Sequence, residues 1–245
     1  MSKILSTGLL FVIALFLGCD KERPQQLIVA QNLAALQRAL LASDEIPTLS
    51  EAPGRYGQGE AFIRTFHERY SKLDKLQQEL QDLLKTSETW TYPTEWADQE
   101  KRKVHRQKAE RLLVALDESQ SLVDETMGSK ALQEVQAAAL SPGYRRVFLD
   151  AIKRLKELGD RRKEMITSLR SWAEKEAELQ ILLDEGLLRM EGTTPLFPEP
   201  TQAERCRKLL RLIADERPFL REPLERAEEA RVRCLQQLEI EERKR

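Results

Sequence analysis

The sequence predicts an all-α fold, an elongated antiparallel helical bundle with coiled-coil-like seams. Charged residues make up 33% of the chain and aromatic residues only 6%, while Leu, Ala, Glu, Lys, Arg and Gln dominate. This composition is typical of long, solvent-exposed helices. Apolar residues recur at heptad-like spacing in several segments, and no stretch shows the alternating β-branched and aromatic residues that would predict a strand.

The chain begins with one basic residue and a short apolar run, "MSKILSTGLLFVIALFLGCDKE". The uncharged run at residues 4–17 is shorter than the roughly 20 residues that span a bilayer, and its length suits the apolar part of a signal peptide. The run ends at Gly18, which is followed by Cys19 and an abrupt change to charged residues. These features predict a signal peptide at residues 1–18.

This segment resembles the signal peptide of bacterial lipoproteins, in which a lipobox that ends in a small residue and a cysteine follows the apolar run. The resemblance implies that Cys19 is lipidated with palmitate-type chains and becomes the first residue of the mature protein. Several acyl chains bury enough CH₂ groups for stable membrane anchoring, whereas one chain does not. An uncleaved signal anchor and an ordinary signal peptide cleaved elsewhere are the alternatives.

The residues after Cys19 predict where the body of the protein lies. In enteric-type sorting of lipoproteins, an aspartate directly after the lipidated cysteine implies retention in the inner membrane, and Asp20 stands at that position. Residues 19–26 are polar and contain Pro24, so we expect a short tether of at most about 25 Å. The helical bundle domain then occupies residues 27–245, close to the membrane and facing the periplasm.

The charge pattern argues against a nucleic-acid partner. The chain has a net charge of −1, and removal of Lys3 with the signal peptide changes it to −2. Basic and acidic residues are interspersed, whereas a nucleic-acid binder needs a sustained basic face. The expected partners are the membrane, through the N-terminal lipid, and an envelope protein.

Apolar periodicity and helix breakers place the helices in order along the chain. Thr94 is a plausible N-cap, and Thr201 with Glu204 forms a capping-box pattern. The last helical region is interrupted by Pro218 and Pro223. Helices are predicted at about 26–43, 60–88, 94–127, 129–140 and 143–190, and from residue 201 onward.

The segment 143–190 is predicted to be one helix of roughly 70 Å. Its seam includes Leu169 and Trp172, which we expect to be packed. The same seam admits Arg162 and Glu176, which are polar at core-type positions. These two side chains are expected to pair inside the protein or with a helix of a partner.

Two further patches, "IPTLSE" and "LFPEPTQAERCRKLL", extend the likeness beyond the signal peptide. Together with the lipobox they resemble a family of uncharacterised all-helical lipoproteins of enteric bacteria. The resemblance implies an all-helical periplasmic body and carries no activity.

No motif for catalysis, a metal or a cofactor is recognised. The two histidines, His67 and His105, lack the one-turn spacing of a helical metal site, and we expect both at the surface or its boundary. Trp90, Tyr92 and Trp96 cluster around a proline. They are the candidate contact site, either as an aromatic platform for a sugar, a peptide or the membrane interface, or as a loop anchored onto the bundle.

Cys206 and Cys234 are the two cysteines left after lipidation, and the periplasm oxidises thiols. One unbroken helix would hold them roughly 42 Å apart, too far for a disulfide. A chain that reverses at "RPFLREP" would bring them together, whereas a helix that merely bends there would leave two separate buried thiols.

From these observations we expect a lipid-anchored periplasmic helical-bundle protein that acts without catalysis as a binding or structural module of the cell envelope. The alternative is a carrier that holds a small apolar ligand between its helices. An enzyme of unrecognised type is the third hypothesis.

Overall fold

The computed structural model describes the backbone of residues 4–87 and 90–243, and the side chains of these ranges from residue 22 onward, residue 242 excepted. Helices dominate these ranges, so the all-α prediction is confirmed. The α-helices are α1 Ile4–Ala42, α2 Glu60–Ser87, α3 Pro93–Trp96, α4 Gln99–Met127, α5 Ser129–Ala137, α6 Pro142–Arg154, α7 Lys156–Gly186, α8 Pro200–Glu216 and α9 Arg221–Arg243.

The chain divides into two compact units rather than the single domain predicted at 27–245. The first unit comprises residues 1–71, 125–156 and 234–245. The second unit comprises residues 72–124 and 157–233. Each unit is therefore built from stretches that are far apart in sequence.

Aromatic side chains form the centre of the first unit. The ring of Phe148 on α6 lies 5.4 Å from that of Phe62 and 5.9 Å from that of Phe66, both on α2. The Tyr70 ring follows at 5.9 Å from Phe66. Pairs at these separations stabilise a core beyond the area that they bury. The heptad-like spacing of apolar residues seen in the sequence thus corresponds to a buried face of α2.

The helix predicted at 143–190 is broken at Leu155, so a single rod of that length is wrong. The backbone of Leu155 has φ −96° and ψ 1°, and its N–H donates to the carbonyl of Ile152 rather than to that of Ala151. A buried carbonyl that loses its helical partner needs another donor. Cys234 Sγ donates to the carbonyl of Arg154 at 3.3 Å. A side chain of α1 donates a hydrogen bond to the carbonyl of Ala151.

Gln37 is the α1 side chain that bonds to the carbonyl of Ala151, and it is fully buried. Its Nε2 donates to the carbonyl of Ala151 at 2.8 Å and to the hydroxyl of Tyr70 at 3.1 Å. Its Oε1 accepts from Nε of Arg154 at 3.2 Å. Since both ends of the amide are used, the group is buried without an unsatisfied polar atom. Burial raises the pKa of Tyr70 to about 12, so the hydroxyl stays neutral in this network.

The tether predicted at residues 19–26 is helical instead, because its polar side chains have partners on the body. Glu22 accepts from the Ser141 hydroxyl at 2.7 Å and from the Gln58 amide at 3.0 Å. Gln25 donates to the carbonyl of Gly54 at 2.9 Å. The polarity that indicated a solvated linker thus comes from groups that fix α1 to its unit.

The helix predicted at 94–127 is also interrupted. The short α3 ends at Trp96, and α4 begins at Gln99. Asp98 caps α4, since its Oδ1 accepts from the backbone N–H groups of Glu100 and Lys101 at 2.9 and 3.2 Å. This is the usual role of an aspartate at a helix N-terminus.

A short hairpin was not predicted. Strands β1 Arg189–Glu191 and β2 Thr194–Leu196 pair antiparallel, with Glu191 opposite Thr194. Gly192 in the turn has φ +59°, a conformation that glycine adopts without steric cost. Three-residue strands are too short for alternation to reveal them.

In the described part of the chain, no helix is long and apolar enough to cross a bilayer.

Candidate functional site

The second unit contains a cavity of about 150 Å³ among four of its helices. Its walls are contributed by α2, α4, α7 and α9. The lining side chains are Leu73, Gln77, Leu80, Gln81, Leu84, Ser119, Arg162, Met165, Leu169, Leu224, Ala227, Glu228 and Arg231.

Helical spacing explains why these side chains converge. Leu73, Gln77 and Leu80 are separated by four and three residues, so they occupy one stripe of α2. Arg162, Met165 and Leu169 repeat the pattern on α7. Small residues take part where larger ones would fill the space, since Ser119 and Ala227 are both buried in the wall. Cores are normally packed without such gaps.

The floor of the cavity is buried and its mouth reaches solvent. Leu73, Arg162 and Leu169 are almost fully buried, whereas Leu224 is 39% exposed. Glu228 also lies on the exposed side of the wall. A small ligand can therefore enter past α9 and meet apolar side chains inside.

Arg162 places a positive charge on the buried part of this wall. Its side chain is only 5% exposed, and Nη2 donates to Oε1 of Gln77 at 3.1 Å. Burial of a guanidinium costs several kcal/mol of desolvation free energy. The sequence singled out this arginine as a polar residue at a core position, and the structure confirms that position.

A second guanidinium lies nearer the mouth. Arg231 pairs with Glu228 at 2.5 Å. The hydrogen bond from Arg231 lowers the pKa of Glu228, and the charge of Arg162 acts in the same direction against burial. Glu228 is therefore ionised at neutral pH. The lining as a whole carries two guanidinium groups and one carboxylate.

Glu176, the other polar residue of the seam, does not line the cavity. It is 1% exposed, and its Oε2 has no hydrogen-bond partner. Burial raises the pKa of Glu176 to about 7, and the Gln180 side chain and the charge of Arg217 offset only part of that rise. Trp172, one turn before it, is buried as predicted, and Leu169 is buried with it.

The aromatic cluster proposed as a contact site is mostly core. Trp90 is 0% and Trp96 2% exposed, whereas Tyr92 is 52% exposed. Trp96 Nε1 donates to the carbonyl of Trp90 at 2.8 Å, and the Gln180 amide donates to the same oxygen at 3.1 Å. The platform interpretation is therefore wrong for the two tryptophans, which anchor the loop to the second unit.

His105 packs against the same loop and is buried, although it was expected at the surface or its boundary. His105 is 7% exposed, and its ring stacks on that of Trp90 with centroids 6.4 Å apart. Burial lowers the pKa of His105, which favours the neutral imidazole. His67 is partly exposed, as expected.

Cys206 and Cys234 are both buried and are not joined by a disulfide, so that prediction is wrong. The reversal that it required is absent, because Glu216, Arg217 and Arg221 all have right-handed helical backbone angles across the Pro218 turn. Burial raises the pKa of Cys206 to about 11. A thiol with so high a pKa is a poor nucleophile at neutral pH.

Cys19, the predicted lipidation residue, lies within the backbone of α1, and its side chain is outside the described residues. Among the residues that are described, no three His, Cys, Asp or Glu side chains are grouped so that they could hold a metal ion.

Comparison of the chain with protein-family models, curated proteins and solved structures finds no match.

Sequence reasoning missed most of the cavity. Gln77, Ser119 and Ala227 are ordinary residues on helix surfaces until the helices are placed. The available signal was Arg162, a charged residue inside an apolar stripe, and only the packing of α2 and α9 against that stripe reveals a cavity.

Proposed function

We propose that this protein is a lipid-anchored helical-bundle binding module of the cell envelope, which faces the periplasm and holds a small ligand without transforming it. The lipid anchor at Cys19 is supported by the apolar run, the small residue before the cysteine and the charged residues after it. Asp20 favours the inner membrane.

The cavity beside Arg162 is the observation that carries the binding role. It is enclosed by helices, apolar over most of its wall and open at one side to solvent. Ligand sites in helical bundles share these features, with a few polar groups that orient the ligand. The observation favours the carrier hypothesis over a purely structural module.

The position of Glu22 supports a short connection between anchor and body. Only two residues separate it from Cys19, and Glu22 already accepts hydrogen bonds from Gln58 and Ser141. Two intervening residues bridge at most about 10 Å. The first unit would therefore lie against the membrane surface and not at the end of a long flexible linker.

The anchor is tested with Cys19→Ala in the native host. Since the acyl groups attach through the thiol, the variant should accumulate as unprocessed precursor and incorporate no labelled palmitate. The wild-type chain should be labelled and processed. Labelling of the variant equal to that of the wild type would overturn the lipid anchor.

The binding role is tested by native mass spectrometry of the protein purified from its host. We expect a small molecule to co-purify with the wild type. Ala227→Leu places a larger side chain in the cavity wall and should abolish the co-purifying mass while the melting temperature stays the same or rises. A wild-type protein that carries only an envelope protein partner would instead support the structural-module alternative.

A further inference from the structure

We propose that the cavity selects a small monoanion, a carboxylate with a compact apolar body whose acid group pairs with Arg162. This inference rests on the proposed function, since it names the chemical class of the ligand that the second unit would hold. Its basis is the charge, the size and the donor arrangement of the cavity wall.

The charge of the wall favours an anion. Arg162 and Arg231 contribute two positive charges, and Glu228 contributes one negative charge near the mouth. Entry of one further carboxylate would bring the lining to neutrality. A cation would meet a net positive wall in a site of low dielectric constant, where repulsion is stronger than in water.

The donor arrangement favours a carboxylate in particular. The Arg162 guanidinium is a planar fork of N–H donors that matches the two oxygens of a carboxylate. The amide of Gln77 lies beside it, with Oε1 accepting from Arg162 at 3.1 Å. Its NH₂ group offers further donors for the same anion.

The size of the cavity limits the apolar body. Its volume of about 150 Å³ is close to that of an engineered core cavity known to bind benzene. Leu73, Leu80 and Leu169 supply apolar parts of the wall. A ring or a short branched chain fits this space, whereas a long acyl chain would have to extend out through the mouth.

Burial of the Arg162 guanidinium has a desolvation cost, and a bound carboxylate would offset part of it. Arg162→Met removes the guanidinium and keeps an unbranched side chain, and it leaves Gln77 Oε1 without this donor. Circular dichroism and the melting temperature establish that the variant is folded before its binding is compared. Arg161→Met is the matched control, since Arg161 is the sequence neighbour, pairs with Glu164 at 2.8 Å and does not line the cavity.

The experiment compares three probes of one shape on the full chain, benzoate, benzamide and benzylammonium, by ligand-observed NMR at pH 7.5. We expect benzoate to bind at least about tenfold more tightly than benzamide, as one charge-assisted hydrogen bond provides. Benzylammonium should not bind. Arg162→Met should remove the preference for benzoate, and Arg161→Met should keep it.

Different failures identify different errors. Equal binding of benzoate and benzamide to the wild type would overturn the anion inference and leave the proposed ligand-binding function standing. Absence of binding by every probe, together with no co-purifying small molecule, would overturn both. If Arg162→Met does not fold, Arg162→Lys replaces it. This variant keeps the positive charge without the planar pair of N–H donors, so its preference for benzoate should be smaller than that of the wild type. An undiminished preference would contradict the role of the paired guanidinium donors.

Discussion

The two units differ in how they treat buried polar groups. In the first unit, both ends of the Gln37 amide are hydrogen-bonded, and its partners close the gap left by the helix break at Leu155. Among the described residues, fewer side-chain atoms are buried without hydrogen-bond partners in the first unit, where Glu60 Oε2 and Arg145 Nε are such atoms, than in the second, where they include Glu176 Oε2, Gln180 Oε1 and the Trp172 indole N–H. The second unit also contains the cavity beside Arg162.

This contrast separates a region with few unbonded buried polar atoms from one with more of them, which therefore carries the larger energetic cost. A buried polar group that is fully bonded is close to neutral or stabilising, whereas one without a partner costs about 1–3 kcal/mol. Natural proteins tolerate such cost mainly where function requires it. Under the proposed function, the second unit would hold the ligand and the first unit would support it.

The largest expected effect is in the aromatic centre of the first unit. Phe148→Ala should lower the free energy of unfolding by about 3–5 kcal/mol, because the ring packs on both Phe62 and Phe66 and leaves a cavity when removed. Urea unfolding followed by circular dichroism measures the change. A loss below about 1 kcal/mol would mean that this unit is not the well-packed region.

The next effect depends on pH and concerns Glu176. Its pKa is raised from the ordinary 4.5 to about 7, so the folded state prefers the neutral acid. The wild type should therefore lose stability as the pH rises from about 4.5 to 7, by about 3 kcal/mol in total, and lose no more from this group above pH 7.

Glu176→Gln removes this titration. The variant should exceed the wild type by less than about 1 kcal/mol at pH 5 and by about 3 kcal/mol at pH 8. Urea unfolding at pH 5, 6, 7 and 8 gives the comparison, with the exposed Glu174→Gln as the matched control. A constant difference between variant and wild type across this range would contradict a buried, titrating Glu176.

A smaller effect is expected for the bonded amide of the first unit. Gln37→Leu leaves the carbonyl of Ala151 and the hydroxyl of Tyr70 without their donor, and it should cost about 2 kcal/mol. Gln31→Leu on the same helix, at an exposed position, is the control and should change stability little. An unchanged melting temperature for Gln37→Leu would remove the main distinction between the two units.

The smallest effect is expected at Tyr92. Its side chain is half exposed, so Tyr92→Ala should change the free energy of unfolding by less than about 0.5 kcal/mol. Trp96→Phe, which removes the hydrogen bond to the carbonyl of Trp90, should cost more. Thermal unfolding of both variants measures the two losses of stability. A larger loss for Tyr92→Ala than for Trp96→Phe would mean that Tyr92 contributes to the stability of the fold.

The sequence was a good guide wherever local periodicity decides the structure. The bounds of α2, the buried seam of Leu169 and Trp172 and the all-α class follow from spacing that any helix obeys. The predictions failed where tertiary contacts decide. The break at Leu155 is stabilised by hydrogen-bond donors from other helices, Gln37 and Cys234. The apolar periodicity along one helix carries no information about either partner.

The candidate site shows the same limit. Arg162 and Glu176 were identified as polar residues in an apolar stripe, but nothing in that stripe says that Arg162 faces a cavity and Glu176 does not. Polarity also misled at Glu22 and Gln25, whose side chains indicated a solvated tether and instead bond to the body. Trp90 and Trp96 show the converse, since a loop position did not keep them exposed.

The way in which the first unit is assembled has a consequence for the order of folding. Arg154 donates to Gln37 on α1 and pairs with Glu241 on α9 at 3.5 Å, so three distant stretches meet at one side chain. Contacts between residues far apart in sequence form slowly, because a long loop must close before they can stabilise anything. A chain released residue by residue, from a ribosome or across a membrane, exposes the apolar face of α1 until α6, which packs against it, has emerged. Helix α1 is therefore synthesised long before the residues that pack against it. During this interval its exposed apolar face is available to a holding chaperone.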